Sequence, residues 1–308
     1  MDRYRRMMER IAGGARILMD GATGTEVERR GAAQLDNAWN AGAALCDPDL
    51  VRQVHVDYLT SGAELIISNT FATTLHALAD AGEGTRFEAY NRRGVELAVE
   101  ARTAAGADTA LVAGGISYWS FTGRDPTLAA LGASVARQAA IMAEAGADLL
   151  VLEMMVDLDR MLATLDAAMT SGLPVWVGMS CAPNDDGTMC LWNGAPLAQA
   201  ISAVAARGAE MLCIMHTEVA YVEGCLDVAD AVWRGPVCVY AHSGRMVGQD
   251  WTFDGVISPE AYAAYAARWL ARGVQVIGGC CGVGPAHIAL LRTLPAFGSS
   301  GHHADGIA

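Results

Sequence analysis

A chain of 308 residues that is 53% hydrophobic and 18% charged has enough apolar material for a full core, as one large α/β barrel or as two domains. Its formal charge of −13 excludes nucleic acid and anionic membrane surfaces as partners, because both demand basic patches. No run of about 18 apolar residues occurs, residues 1–16 are too charged for a signal peptide, and the eight cysteines read as the reduced thiols of a cytoplasmic protein.

Residues 3–11 have the spacing of a short amphipathic helix. Ile17-Leu18-Met19-Asp20 then reads as a strand that stops at Gly21-Ala22-Thr23-Gly24-Thr25-Glu26. Seven similar runs follow, at residues 64–69, 110–114, 148–153, 174–180, 210–216, 236–241 and 274–280. Most are near-continuous runs of Val, Ile, Leu and Met, as expected of strands buried on both faces of a parallel sheet. Ala-rich helical patterns separate them, for example residues 87–105 and 128–145. Ser258-Pro259-Glu260 opens another, with an N-cap serine, proline at the first helical position and a terminating Gly273. Eight strands alternating with helices predict an α/β fold of the (β/α)8 barrel type, a single domain over residues 1–297 with a disordered tail at 298–308.

A barrel of this kind carries its chemistry at the C-terminal strand ends. Asp20, Asn69 with Thr70, Glu153, Ser180, His216, His242 and Cys280 each end an apolar run, so one convergent site is expected. The last strand stops at Gly278-Gly279-Cys280-Cys281-Gly282, where glycines let the backbone fold tightly enough to aim two sulfurs at one point. Adjacent cysteines are too close for an ordinary disulfide staple, which leaves a metal, redox chemistry or two small core residues. Period-two alternation in the 210–216 run sets His216 on the face of Leu212 and Ile214, and Cys213 on the other. His216 is therefore expected at the inner mouth and Cys213 against the helices. With Cys280 and Cys281 it makes a Cys2His zinc site whose fourth position stays open, the catalytic pattern; His242 is the competing ligand.

These residues bring a resemblance into view. The chain is similar to the zinc-dependent homocysteine S-methyltransferases, including the betaine and S-methylmethionine enzymes, over residues 17–294. The likeness is carried by Asp20-Gly21-Ala22-Thr23-Gly24-Thr25-Glu26, Pro48-Asp49-Leu50-Val51 with His55-Val56-Asp57-Tyr58, Ser68-Asn69-Thr70-Phe71, Tyr240-Ala241-His242-Ser243-Gly244 and Ile277-Gly278-Gly279-Cys280-Cys281-Gly282. It implies a barrel in which zinc activates an acceptor thiol, with Asp20, Thr70 and Glu153 holding the amino acid part of homocysteine and His242 beside them. It also implies that Trp39 lies by the methyl donor.

Two positions depart from the family's pattern. Met215-His216 stands where the family has Asn-Cys, and His242 where it has asparagine. Two thiolates and an imidazole leave a zinc site neutral, whereas three thiolates leave it negative. The expected consequence is a weaker thiolate nucleophile with a lower pKa, and a preference for sulfonium over quaternary ammonium donors. A cationic donor calls for aromatic faces, for which Trp39, Tyr118, Trp119, Trp192 and Trp251 stand in loops or in the N-terminal segment, with Trp39 and Tyr118 assigned to it. The partners are then a small thiol, homocysteine first, and a methyl donor. No dinucleotide fingerprint is present. A zinc barrel hydrolase and a zinc- or thiol-binding member without turnover stand as alternatives, and a homo-oligomer stays open.

Overall fold

The computed structural model describes residues 2–247, 250–252 and 255–298, with the backbone alone for 245–247, 250 and 251. The apolar runs form eight parallel strands: β1 (Ile17–Leu18), β2 (Leu65–Ile67), β3 (Leu111–Ile116), β4 (Leu149–Met155), β5 (Val175–Met179), β6 (Met211–Glu218), β7 (Val237–His242) and β8 (Val276–Ile277). Their order around the sheet is β1-β8-β7-β6-β5-β4-β3-β2. A parallel bridge between Met19 and Leu65 joins the two ends, so the sheet closes on itself as a single-domain (β/α)8 barrel.

The helices fall where the sequence places them, at Phe87–Ala104, Leu128–Glu144 and Pro259–Ala271 among others. Local chemistry fixes their starts. The side chains of Thr74, Thr127, Asp157 and Ser258 each accept a hydrogen bond from the main-chain N–H three residues on. Leu18, Ile66, Val112, Leu150, Val177, Leu212, Val239 and Ile277 face outward into the helical layer, and bury there completely. Ile17, Leu65, Leu111, Leu149, Trp176, Met211, Cys238 and Val276 fill the barrel interior.

The N-terminal end of the barrel is plugged. Helix Asp2–Ala12 turns Tyr4, Met7 and Ile11 onto the interior cluster, one apolar stripe at helical spacing. The Trp176 indole N–H donates to the Tyr4 hydroxyl at 3.0 Å, and that hydroxyl donates to the Glu210 carboxylate at 2.8 Å. Nearby, buried Arg102 pairs with Asp148 at 2.7 Å, while Asp148 also accepts from the Val112 N–H. These polar groups are matched to one another. Among the described residues no helix is long and apolar enough to cross a membrane. Of the expected tail, residues 298–308, all but Gly298 lie outside the described residues.

Candidate active site

Cys280 and Cys281 leave β8 through a turn that only glycines permit. A Cβ at Gly278 would lie 2.6 Å from the Asp20 carbonyl, and one at Gly279 would lie 2.1 Å from the Val283 side chain. Gly282 has φ 81°, and a Cβ there would meet the Ser243 carbonyl at 2.2 Å. The turn is pinned by Gly279 N–H to Asp20 O, Cys280 N–H to Ala241 O and Ser243 N–H to Cys281 O. Both thiols are half-buried at the mouth.

His216 reaches the same point by a route that the sequence does not reveal. Simple alternation expects Leu212 and Ile214 inside with His216, and Cys213 outside. The structure reverses this: Met211, Cys213 and Met215 face the interior, and Leu212 and Ile214 face the helices. His216 still turns to the mouth because the ladder with β7 slips between Met215 and Glu218, and His216 itself has φ 41°. A bulge at a strand end re-aims the side chain, here against the period-two rule. His216 Nδ1 then lies 3.4 Å from Cys280 Sγ.

The ligand atoms of His216, Cys280 and Cys281 all lie within 4.8 Å of one another. A tetrahedral zinc site, with Zn–S near 2.3 Å and Zn–N near 2.0 Å, spaces its donor atoms by roughly 3.5–4 Å. The Cys281 thiol alongside, together with burial, pushes the Cys280 thiol well above its ordinary pKa. A paired cluster of this kind favours thiolates only beside a cation, so the donor set fits a soft divalent metal. His242 is not part of the group. Its ring packs on His216 with centroids 4.3 Å apart, and burial, with the neighbouring imidazole, lowers its pKa to about 3.

His216 and Cys281 open onto a cavity of about 540 Å³. Glu153, at the end of β4, also lines it; burial raises its carboxyl pKa to about 8. The space for that carboxylate comes from Gly115 on β3, where a Cβ would lie 2.4 Å from Glu153 Oε2. Trp39, Phe71, Trp119, Phe121 and Trp192 supply aromatic walls. Trp39 stands edge-on to Phe71 and donates its indole N–H to the Glu28 carboxylate at 2.9 Å. Asn40 Nδ2 and the Tyr240 hydroxyl are buried, reach the cavity, and have no hydrogen-bond partner within the protein.

Four of the expected site residues stand away from the cavity lining. Thr70 does not line the cavity; its hydroxyl donates to the Gly115 carbonyl at 2.8 Å and is also hydrogen-bonded to the Ser68 hydroxyl, while Ser68 and Asn69 face the cavity. Asp20 is 1% exposed and turned to the main chain, accepting from the Ile67 N–H at 2.8 Å. Burial, with the nearby Glu153 carboxylate adding to it, raises its pKa. Tyr118 points into the helical layer, where its hydroxyl accepts from the Val156 and Asp157 N–H groups; Trp119, one residue on, lines the cavity instead. His242 packs on His216 and does not line the cavity. For Trp251 the side chain lies outside the described residues.

Phe71, Phe121, Glu28, Asn40 and Tyr240 escape the sequence reading. Only Tyr240 carries a local signal, sharing with Cys238 the inward alternation of β7.

Comparison with known proteins gives these features a family. Residues 17–294 match the family model described as homocysteine S-methyltransferase. A selenocysteine Se-methyltransferase from Brassica oleracea var. italica is 27% identical and covers 94% of each chain. A homocysteine S-methyltransferase from Escherichia coli K12 is 28% identical, covering 90% of this chain and 94% of that protein. The crystal structure of the homocysteine methyltransferase MmuM from Escherichia coli, in its metallated form, superposes with a TM-score of 0.74 at 27% identity, covering 90% of this chain and 95% of that one. A barrel whose mouth gathers His216, Cys280 and Cys281, with a match over residues 17–294, belongs to the homocysteine S-methyltransferase family of methyltransferases.

Proposed function

We propose that the protein transfers a methyl group from a cationic donor to homocysteine, giving methionine, with zinc held by His216, Cys280 and Cys281. The carrying observation is that His216 and Cys281 of this donor set open onto the same cavity as the buried Glu153 and the aromatic walls. Zinc, when bound, lowers the pKa of a thiol and holds it as the thiolate nucleophile.

The chain's own residues do the rest. Glu153 takes the ammonium of the acceptor: a carboxyl that burial holds near 8 ionises readily once a cation sits against it. Asp20 does not line the cavity, and its charge couples to that of Glu153. Asn40 Nδ2 and the Tyr240 hydroxyl offer donors that a bound carboxylate would satisfy. Trp39, Phe71 and Trp119 line the cavity as aromatic partners for the donor cation, and Glu28 adds a half-buried negative charge beside Trp39. The donor's methyl is then presented in line to the acceptor sulfur at roughly 3–3.5 Å. The sulfur lone pair forms the new C–S bond, and the electron pair of the broken bond leaves with the donor, which departs neutral.

Two thiolates and an imidazole would make a neutral zinc site, which supports a sulfonium donor over a quaternary ammonium donor. Eight cysteines, all free among those described, support a cytoplasmic setting. Mass spectrometry of products from homocysteine offered with S-methylmethionine or with betaine tests the reading. Methionine should form faster from the sulfonium; faster betaine turnover would refute the donor preference. Bound zinc without any methylated thiol would refute the transferase and leave a binding protein.

A further inference from the structure

His216 pays for its place at the mouth with a strained backbone. At φ 41° it occupies the left-handed region, which strains a non-glycine residue and persists only where neighbours over-determine it. The neighbour set directly against it is His242. It ends β7 exactly where the ladder resumes after the slip, paired with Glu218. Its ring lies against the His216 imidazole, centroids 4.3 Å apart at 37°. Trp192 is a second ring in contact, at 5.2 Å and 59°.

We propose that His242 is the positioning residue of the metal cluster. It holds both the ring plane and the left-handed backbone of His216, so that Nδ1 faces Cys280 Sγ and not solvent. The inference rests on reading His216, Cys280 and Cys281 as metal ligands. It gives His242 a part that no ligand count would assign, since its own ring is outside the group of three. The mechanical logic is that of outer-sphere residues elsewhere: a ligand on a slipped strand end has one more orientation to lose than a ligand on regular ladder, and a flat neighbour removes it.

The test uses the full chain loaded with Co²⁺ in place of zinc, reading the visible d–d bands and the rate of metal loss to a chelator. Wild type, His242→Ala, His242→Asn, His242→Phe and His216→Ala are compared. The Ala and Asn variants should lose metal about 10–100-fold faster with altered bands, the range typical of outer-sphere partners. The Phe variant keeps a ring against His216 and should stay close to wild type, which also separates the effect from general unfolding of β7. Wild-type bands and retention in His242→Ala would overturn the proposal, as would a Phe variant no better than Ala. A Phe variant as empty as His216→Ala would make His242 a ligand, overturning its positioning role. A wild type that takes up no cobalt would sink the metal reading itself, and this inference with it.

Discussion

The two ends of the barrel are built from the same strands and solve opposite problems. At the N-terminal end, helix Asp2–Ala12 caps the interior, and the Trp176–Tyr4–Glu210 chain matches its buried polar groups. At the other end the rules are broken together. All four non-glycine residues with left-handed φ among those described, Asn37, Trp39, Met154 and His216, line the cavity. Two buried donors there, Asn40 Nδ2 and Tyr240 OH, go unmatched, and the Glu153 carboxyl is pushed to about 8. Left-handed strain gathered at the cavity, with two unmatched donors facing it, is what a ligand, and not the fold, must resolve.

The sharpest way to break this contrast is at the sulfur pair. Cys281→Ala should remove bound metal and cut kcat/KM by about a thousandfold or more, roughly 4 kcal/mol of barrier, with the far-UV circular dichroism unchanged. Retained turnover in a metal-free variant would mean that the mouth works some other way.

Glu153→Gln comes next. Losing the ammonium acceptor should lower kcat/KM for the thiol about a hundredfold, mainly through KM, as expected for one buried charged hydrogen bond. The pH dependence carries a sign. Burial raises the folded pKa from 4.5 to about 8, so the free protein holds the proton more tightly than the unfolded chain does. That contribution to stability is complete below pH 4.5 and is lost as pH rises through 8. Wild type should therefore become easier to unfold in urea between these values, and Glu153→Gln should not. A parallel slope in both would remove Glu153 as the cause. Smaller again is Trp39→Leu, which should raise the donor KM about tenfold while leaving the acceptor KM alone, the scale of one desolvated cation–π contact. A shift in acceptor KM would place Trp39 on the thiol side.

The same contrast explains what a reader of the sequence could see. The eight strands were legible because parallel strands buried on both faces must be apolar throughout. The capped helices were legible because Ser258-Pro259 and its like are local chemistry. Cys280 and Cys281 were legible because their glycines are next to them in the chain. Alternation failed at β6, where Cys213 faces in: a slipped ladder is a property of two strands, and nothing in residues 211–218 announces it. Tyr118 and Trp119 differ by one residue in a loop with no periodicity to choose between them. Thr70 and Asp20 were placed by likeness to a motif, yet which way a side chain turns depends on Gly115 and Ile67, remote in the chain.

At the matched end the expectation reverses. Tyr4→Phe deletes the hydroxyl that accepts from Trp176 and donates to Glu210, leaving a buried indole N–H without its partner. The cost should be about 1–3 kcal/mol of unfolding free energy, the penalty for one unmatched buried polar group. Methyl transfer should be unchanged, because the barrel interior, packed with Met211, Cys213 and Trp176, separates that hydroxyl from the cavity. Urea unfolding and steady-state kinetics on the one variant decide it. A stable protein with impaired turnover would show that strain at the mouth is balanced through the core from below, and the two ends would have to be treated as one device.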